Sequence, residues 1–333
     1  MTFDERVTAV KGHVFTDRQA RFLVTVMLHS GVCMDRHYCA FARIAHGQNT
    51  KDFFTLLVSR KLATAYLCAH KRARIFHVHH RSLYEAIGEP NNRFRKPAPI
   101  GQAIERLMLL DAVLASPDVT WLATERDKLA HFTLLLRTQL QRDELPHLTF
   151  GGGDHVTVRY FPDKLPIGVT DEGREHIFTY LVTRAAPVDF RAFLQRHAEL
   201  LRALPAWTIR LLVPAHYREA SDAFVSAWQQ ELARPLRLST VDELRWLFEQ
   251  QRRRRDDPTG DEQDAPRYAR ARRAFATPRY RGLYRRWLRE GAKAIDGTVS
   301  PILADAIQRG NGRIECDALG HPYLHLSPLV GSS

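Results

Sequence analysis

The sequence predicts a mixed chain, α+β or α/β in class, that opens with a helical unit ending in two strands. Three observations lead there. Apolar residues recur at helical spacing through the first sixty residues and then give way to two short β-like runs. From residue 156 onward, strand-like runs alternate with amphipathic helical ones. After residue 251 the chain turns arginine-rich and helical. Its 333 residues suit roughly two domains of about 100–200 residues each.

The elements follow in order. Thr16 is expected to cap a helix, with Gln19 completing a capping box. Phe22, Leu23, Val26 and Met27 form its apolar stripe, and Ser30 with Gly31 stops it. Asp35 is expected to cap a second helix that presents Tyr38, Phe41 and Ala42 and breaks at Ala45, His46 and Gly47. A third helix over about 49–61 turns Phe53, Phe54, Leu56 and Leu57 inward. Residues 62–68 read as a strand, 69–73 as a polar basic turn and 74–79 as the return strand. The domain expected over 1–88 is followed by a polar, proline-flanked linker at 89–99.

An α/β domain is expected over 100–250. It begins with an apolar helix over 101–115 carrying Ile104, Leu107, Met108, Leu110, Val113 and Leu114, which suits either a buried core or a dimer contact. Strands are expected at 156–160, 177–182 and 208–214, and helices at 189–204, 219–232 and 242–253. The run 208–214 is almost continuously apolar, as in a strand covered on both faces. A basic helical C-terminal region is expected over 251–333.

Composition narrows the function classes. Hydrophobic residues at 44% and charged residues at 26% argue against a disordered chain. Lys plus Arg number 49 against 37 Asp plus Glu, a formal net charge of +12 that points to a polyanionic partner, most commonly nucleic acid. No run of 18 apolar residues predicts a membrane span, and the acidic first residues do not read as a secretory signal. Cys33, Cys39, Cys68 and Cys316 form no Cys-x-x-Cys pair, so buried, reduced thiols and a cytoplasmic, nucleoid-associated location are expected.

Helix, helix, turn, helix, strand, basic turn and strand is the order of a winged helix-turn-helix. On that reading Gln48, Asn49, Thr50 and Lys51 open the helix that enters a major groove, where amide and ammonium groups read base edges. Arg60 and Lys61 follow that helix. His70, Lys71 and Arg72 at the strand tip, with Arg74, would lie along phosphates. The expected partner is duplex DNA bound by a homodimer. The alternative is the same unit used for protein contacts, or a three-helix core plus hairpin that binds no nucleic acid.

The stretch from Phe15, Thr16, Asp17, Arg18 and Gln19 through Ser59, Arg60, Lys61, Leu62 and Ala63 resembles the winged-helix entry of replication-relaxation-type proteins of plasmids and integrated elements. Residues from roughly 100 to 215 resemble the later part of the same family. The resemblance implies a C-terminal domain related to restriction-endonuclease-like folds, and a role in transcription control or in replication or recombination of a mobile element. An active nuclease of that kind needs an Asp, then an acid and a Lys on a neighbouring strand, to hold a divalent cation and activate water. Asp163 stands where the first acid belongs, but residues 177–183 carry no Glu-x-Lys, and Glu172 and Glu175 fall in a turn-rich segment before the strand. A non-catalytic domain with no metal and no cofactor is therefore expected. A metal-dependent nuclease with a non-standard acid set, or an interaction scaffold, is the alternative.

Other features carry less. His77, His79 and His80 cluster, and Cys68 stands on the facing strand. The group reads as wing histidines near phosphate or a polar strand face rather than a metal site. The three glycines at 151–153 lack the Lys and Ser or Thr of a P-loop, and there is no Gly-x-Ser-x-Gly elbow. The arginines at 252–289 are interleaved with Tyr268, Tyr280, Tyr284 and Trp287, which either stack on unpaired bases or pack inward.

Overall fold

Helix caps and apolar stripes set the N-terminal architecture. The computed structural model describes residues 1–68, 73–151, 156–170, 173–256, 264–321, 323 and 326. Helix α1 (Phe3–Lys11) precedes α2 (Asp17–His29), whose capping box forms as the sequence predicts. The Thr16 side chain accepts from the Gln19 amide at 3.3 Å, and Gln19 Oε1 accepts from the Thr16 amide at 3.0 Å. Phe22, Leu23, Val26 and Met27 are fully buried. Burial of such side chains is worth about 1.5–3 kcal/mol each, and this stripe organises the first core.

After the two-residue strand β1 (Val32–Cys33), helix α3 (Asp35–Ala42) begins at Asp35. Met34 is its cap residue, and His37 Nδ1 accepts the Met34 amide at 2.9 Å, so Asp35 is displaced from the capping role expected of it. The left-handed Arg43 ends α3, and α4 (Gln48–Ser59) follows. Strands β2 (Ala63–Leu67) and β3 (Arg74–Val78) pair antiparallel, and β1 joins the far side of β3, giving the order β1-β3-β2. A short α5 (Arg81–Ala86) closes the segment.

Residues 89–99, expected as a linker, are part of the packing. Phe94 is buried in the first core, and its carbonyl accepts from His77 Nε2 at 2.8 Å. Gly31, at φ 70°, lies so close that a Cβ there would stand 2.6 Å from both the Cβ and the carbonyl oxygen of Phe94. Helix α6 (Ile100–Leu114) then runs between the two halves. Leu110 enters the first core, while Ile104, Leu107, Met108, Leu109 and Ala112 join a second one that reaches the central sheet. Its apolar surface is occupied within the chain, which favours the buried-core alternative for this helix. Arg6 of α1 adds a tie, 3.2 Å from Asp127 of α7 (Glu125–Leu135).

The central sheet is mixed and five-stranded. Strand β4 (Thr120–Leu122) pairs antiparallel with β7 (Ile167–Thr170), which pairs antiparallel with β8 (Glu175–Leu181). Between β4 and β7 the chain forms a separate hairpin of β5 (His147–Phe150) and β6 (Thr157–Tyr160). From β8, helix α8 (Val188–Ala203) crosses to β9 (Ala206–Val213), parallel to β8. Strand β9 is buried on both faces: Trp207, Ile209 and Leu211 share a core with Phe190, Phe193 and Leu194 of α8, while Leu212 faces α6.

A helical segment follows, comprising α9 (Ser221–Trp228), α10 (Leu238–Asp256), α11 (Ala265–Ala274), α12 (Pro278–Glu290), α13 (Lys293–Val299) and α14 (Ile302–Gln308). The chain then returns as β10 (Gly312–Ala318), parallel to β9 at the sheet edge. A Cβ on Gly312 would stand 2.5 Å from the Trp207 ring, so only glycine lets the strand approach here. The sheet expected within 100–250 thus takes its edge from beyond 250, and the 251–333 region is not a helical appendage. No helix among the described residues is long and apolar enough to cross a membrane. Cys33 and Cys68 are buried as expected, whereas Cys316 on β10 is exposed.

Candidate nucleic-acid interface

Helix α4 divides cleanly into two faces. Phe53, Phe54 and Leu57 are buried, with Phe54 stacked on Phe76 of β3 at a centroid separation of 4.2 Å. Gln48, Asn49, Lys51, Asp52, Thr55, Val58 and Ser59 lie on the outer side, most of them exposed. Gln48 Nε2 donates to Asp52 Oδ1 at 2.6 Å, a bond between neighbouring turns that a base edge would have to replace. Thr50 does not belong with them. It is fully buried, its hydroxyl 3.5 Å from Cys39 Sγ, and it cements α4 to α3 rather than facing outward. That correction follows from the helical period, which sets Thr50 on the same side as Phe53 and Phe54.

Arg60 and the left-handed Lys61 (φ 58°) are exposed, as is Arg74, and neither they nor Lys51 form an ion pair with any described residue. Four cations without an ion pair among the described residues therefore lie along α4 (Lys51), just before β2 (Arg60, Lys61) and beside the β2–β3 turn (Arg74). His70, Lys71 and Arg72 lie outside the described residues. The same surface carries apolar groups: Tyr66 and Leu67 on β2 are 44% and 72% exposed.

Behind this surface the module is fastened by an acid that sequence reasoning missed. Asp111 of α6 accepts from Arg36 of α3 at 2.5 and 2.6 Å, lies 3.1 Å from His37 Nε2 and accepts from the Tyr323 hydroxyl. Burial pulls its carboxyl upward, but the hydrogen bonds and charges of His37 and Arg36 outweigh it and hold Asp111 well below the usual carboxylate range. Burial pushes His37 down against the pull of Asp111, and because its Nδ1 accepts the Met34 amide its Nε2–H is the side turned to the carboxylate. One apolar helix containing a single acid after Leu110 was the available signal.

The nuclease candidates do not come together as a metal site. Asp163 pairs with Arg196 at 2.8 Å, and Glu175, at the start of β8 rather than before it, pairs with Arg313 at 2.7 Å. Glu172 lies outside the described residues. The histidines each have a local partner: His77 the Phe94 carbonyl, His79 the Thr64 hydroxyl at 2.9 Å and His80 the Ser82 amide at the start of α5. Among the described residues no three His, Cys, Asp or Glu side chains gather as ligands.

In the C-terminal helices the aromatics pack inward. Trp287 and Tyr284 flank Phe248, Arg254 lies 4.1 Å from the Tyr268 ring and Arg267 lies 3.9 Å from the Trp246 ring while pairing with Glu243. Phe275 packs against Tyr280. No family model, curated protein or solved structure matches the chain.

Proposed function

We propose that this chain binds duplex DNA through a winged helix-turn-helix formed by residues 1–88, with α4 in the major groove and the β2–β3 hairpin as the wing. The observation that carries this reading is the division of α4: an aromatic face in the core, and Gln48, Asn49 and Lys51 outward with unpaired cations on either side. The order of α2, β1, α3, α4, β2 and β3, and the β1-β3-β2 sheet, support it. The net charge of +12 supports it independently. On this reading Gln48, Asn49 and Lys51 contact bases, while Arg60, Lys61, Lys71, Arg72 and Arg74 contact phosphates. The process served, transcription control or replication or recombination of a mobile element, is what the family resemblance implies. A second chain on a palindrome would dock elsewhere than α6.

Selection of duplexes from a random pool tests the proposal. A recovered consensus whose affinity falls steeply with salt supports it, and equal recovery of all sequences with a flat salt response overturns it. Exposed Tyr66 and Leu67 favour a second reading, a protein-contact surface at the same hairpin. That reading gains if Tyr66→Ser with Leu67→Ser leaves duplex binding intact but abolishes association with a protein partner.

A further inference from the structure

A cavity of about 200 Å³ lies where the N-terminal helices meet the sheet unit. One wall is His29 at the end of α2 together with Arg93 and Phe94. The other is Lys128 of α7 with Phe161 and Lys164. Lys128 is 2% exposed, and its ammonium donates to the Leu165 carbonyl at 2.6 Å. Arg93 donates to the Lys164 backbone carbonyl at 3.2 Å, and its charge acts on both Lys128 and Lys164. None of the three forms an ion pair with a described residue. The nearest acids are engaged elsewhere: Asp127 with Arg6, Asp163 with Arg196, and Glu125 with the Tyr160 amide at 3.1 Å. Glu89, also on the wall, is pushed upward by burial toward its neutral form.

The cavity does not end there. At Glu89, Thr124 and Glu125 it shares a rim with an open groove of about 870 Å³ along α7, lined by Arg126, Arg137, Arg142 and Arg159. These four also lack ion-pair partners among the described residues. Burying uncompensated ammonium charge is costly, and a protein keeps such a group where an anion offsets the cost. Burial, with the charge of Arg93 beside it, drives Lys128 down to about 7 against the opposing pull of Asp163, Asp127 and Glu125.

We infer that this cavity and groove form a binding site for a small phosphate-bearing molecule, its phosphate held by Arg93, Lys128 and Lys164 and its remainder lying along Arg126, Arg137, Arg142 and Arg159. The enclosed end is too small and Lys128 too deep for a duplex, so the ligand is a free small molecule. Because its walls come from both halves of the chain, an occupied site clamps the 89–96 segment against α7. The site stands independently of the DNA-binding reading.

The test uses the full chain and inorganic pyrophosphate, read by calorimetric titration and thermal unfolding against sodium chloride of equal ionic strength. Saturable pyrophosphate binding, with a rise of several degrees in the unfolding midpoint and slowed amide exchange at 89–96, is expected. Arg93→Gln with Lys164→Gln, both near solvent, is expected to weaken binding at least tenfold with little change in the unliganded midpoint. Lys128→Met should remove the response while leaving a folded chain. A response no greater than that of chloride overturns the inference, as does one unchanged in these variants. Displacement of pyrophosphate by a ten-residue oligothymidylate at lower concentration also overturns it, by making the site one for single-stranded nucleic acid. A failed duplex selection alters none of these outcomes.

Discussion

Two regions of this chain are rich in cations, and they handle them differently. Around α4, Lys51, Arg60, Lys61 and Arg74 form no ion pair with a described residue, beside a helix whose aromatics are all on its inner face. Across α10, α11 and α12 the arginines are more numerous, but several lie over the chain's own rings: Arg252 on Trp287, Arg254 on Tyr268 and Arg267 on Trp246. Charge density alone does not identify a binding surface. Cations already satisfied by internal π faces and carboxylates must surrender those partners to engage a phosphate, whereas the α4 cations surrender only water. The α10–α12 region is therefore read as a cation-stabilised structural unit, and the α4 face as the one available to an outside polyanion.

The largest effect is expected where the α4 region is anchored. Asp111 receives Arg36, His37 and Tyr323 in one place, and Asp111→Ala would leave the Arg36 charge without its counter-ion. A loss of about 3–5 kcal/mol in chemical unfolding is expected. Because the folded carboxyl is depressed, its contribution is complete above the unfolded pKa near 4 and is lost as pH falls below it. Asp111→Asn should flatten the acid limb of the stability curve. If Asp111→Ala costs no more than an exposed carboxylate does, the anchoring argument fails.

Lys51→Glu with Arg60→Glu should weaken duplex binding about 10–100-fold, and reduce the salt slope by about one unit for each phosphate no longer neutralised. Arg285→Glu with Arg289→Glu, an equal reversal on exposed positions of α12, should change affinity by less than about threefold beyond the general charge effect. Titration of one labelled duplex at two salt concentrations separates the regions, and the opposite ranking would transfer the interface to the C-terminal helices.

Lys128 is a third case, a buried cation held by the Leu165 carbonyl and the Phe161 ring but without an ion pair among the described residues. Its folded pKa is lowered to about 7 from 10.5, so between those values the unfolded chain binds more protons and stability rises with pH. Below pH 7 both states hold the proton and the penalty is constant. Without added anion, Lys128→Met should therefore raise stability by about 1–3 kcal/mol at pH 7, and the gain should shrink toward pH 10. Thermal unfolding at pH 6, 7 and 9.5 measures this. A gain that grows with pH would mean that Lys128 has a counter-charge after all.

What the sequence made legible follows from the range of the forces involved. The α2 capping box, the α4 apolar face and the hairpin strands depend on neighbours within a few residues, and they stand where the periodicity placed them, within one or two residues. Strands β4, β7 and β10 were not legible, because their pairing depends on partners tens of residues away. For the same reason nothing local in the sequence singles out Asp111 or Lys128, whose partners come from distant segments. Arg93 and Phe94 looked like linker because proline and charge dominated the local pattern. Thr50 was misplaced by a simpler route: its polarity was weighed and its position in the helical period was not.

The smallest expected effect tests the other side of the comparison. Arg254 lies 4.1 Å from the Tyr268 ring, joining α10 to α11 without any carboxylate. Such an interaction at a partly exposed site is worth about 0.5–1 kcal/mol. Arg254→Ala should cost about that much, and Arg254→Lys should recover only part of it, since an ammonium lacks the planar guanidinium that lies against a ring. The corresponding substitution of Arg74 on the N-terminal surface should leave stability unchanged, because no described ring or acid holds it. Equal costs at the two positions, measured by chemical unfolding at high salt, would remove the distinction between structural and available arginines from which the assignment of the interface proceeds.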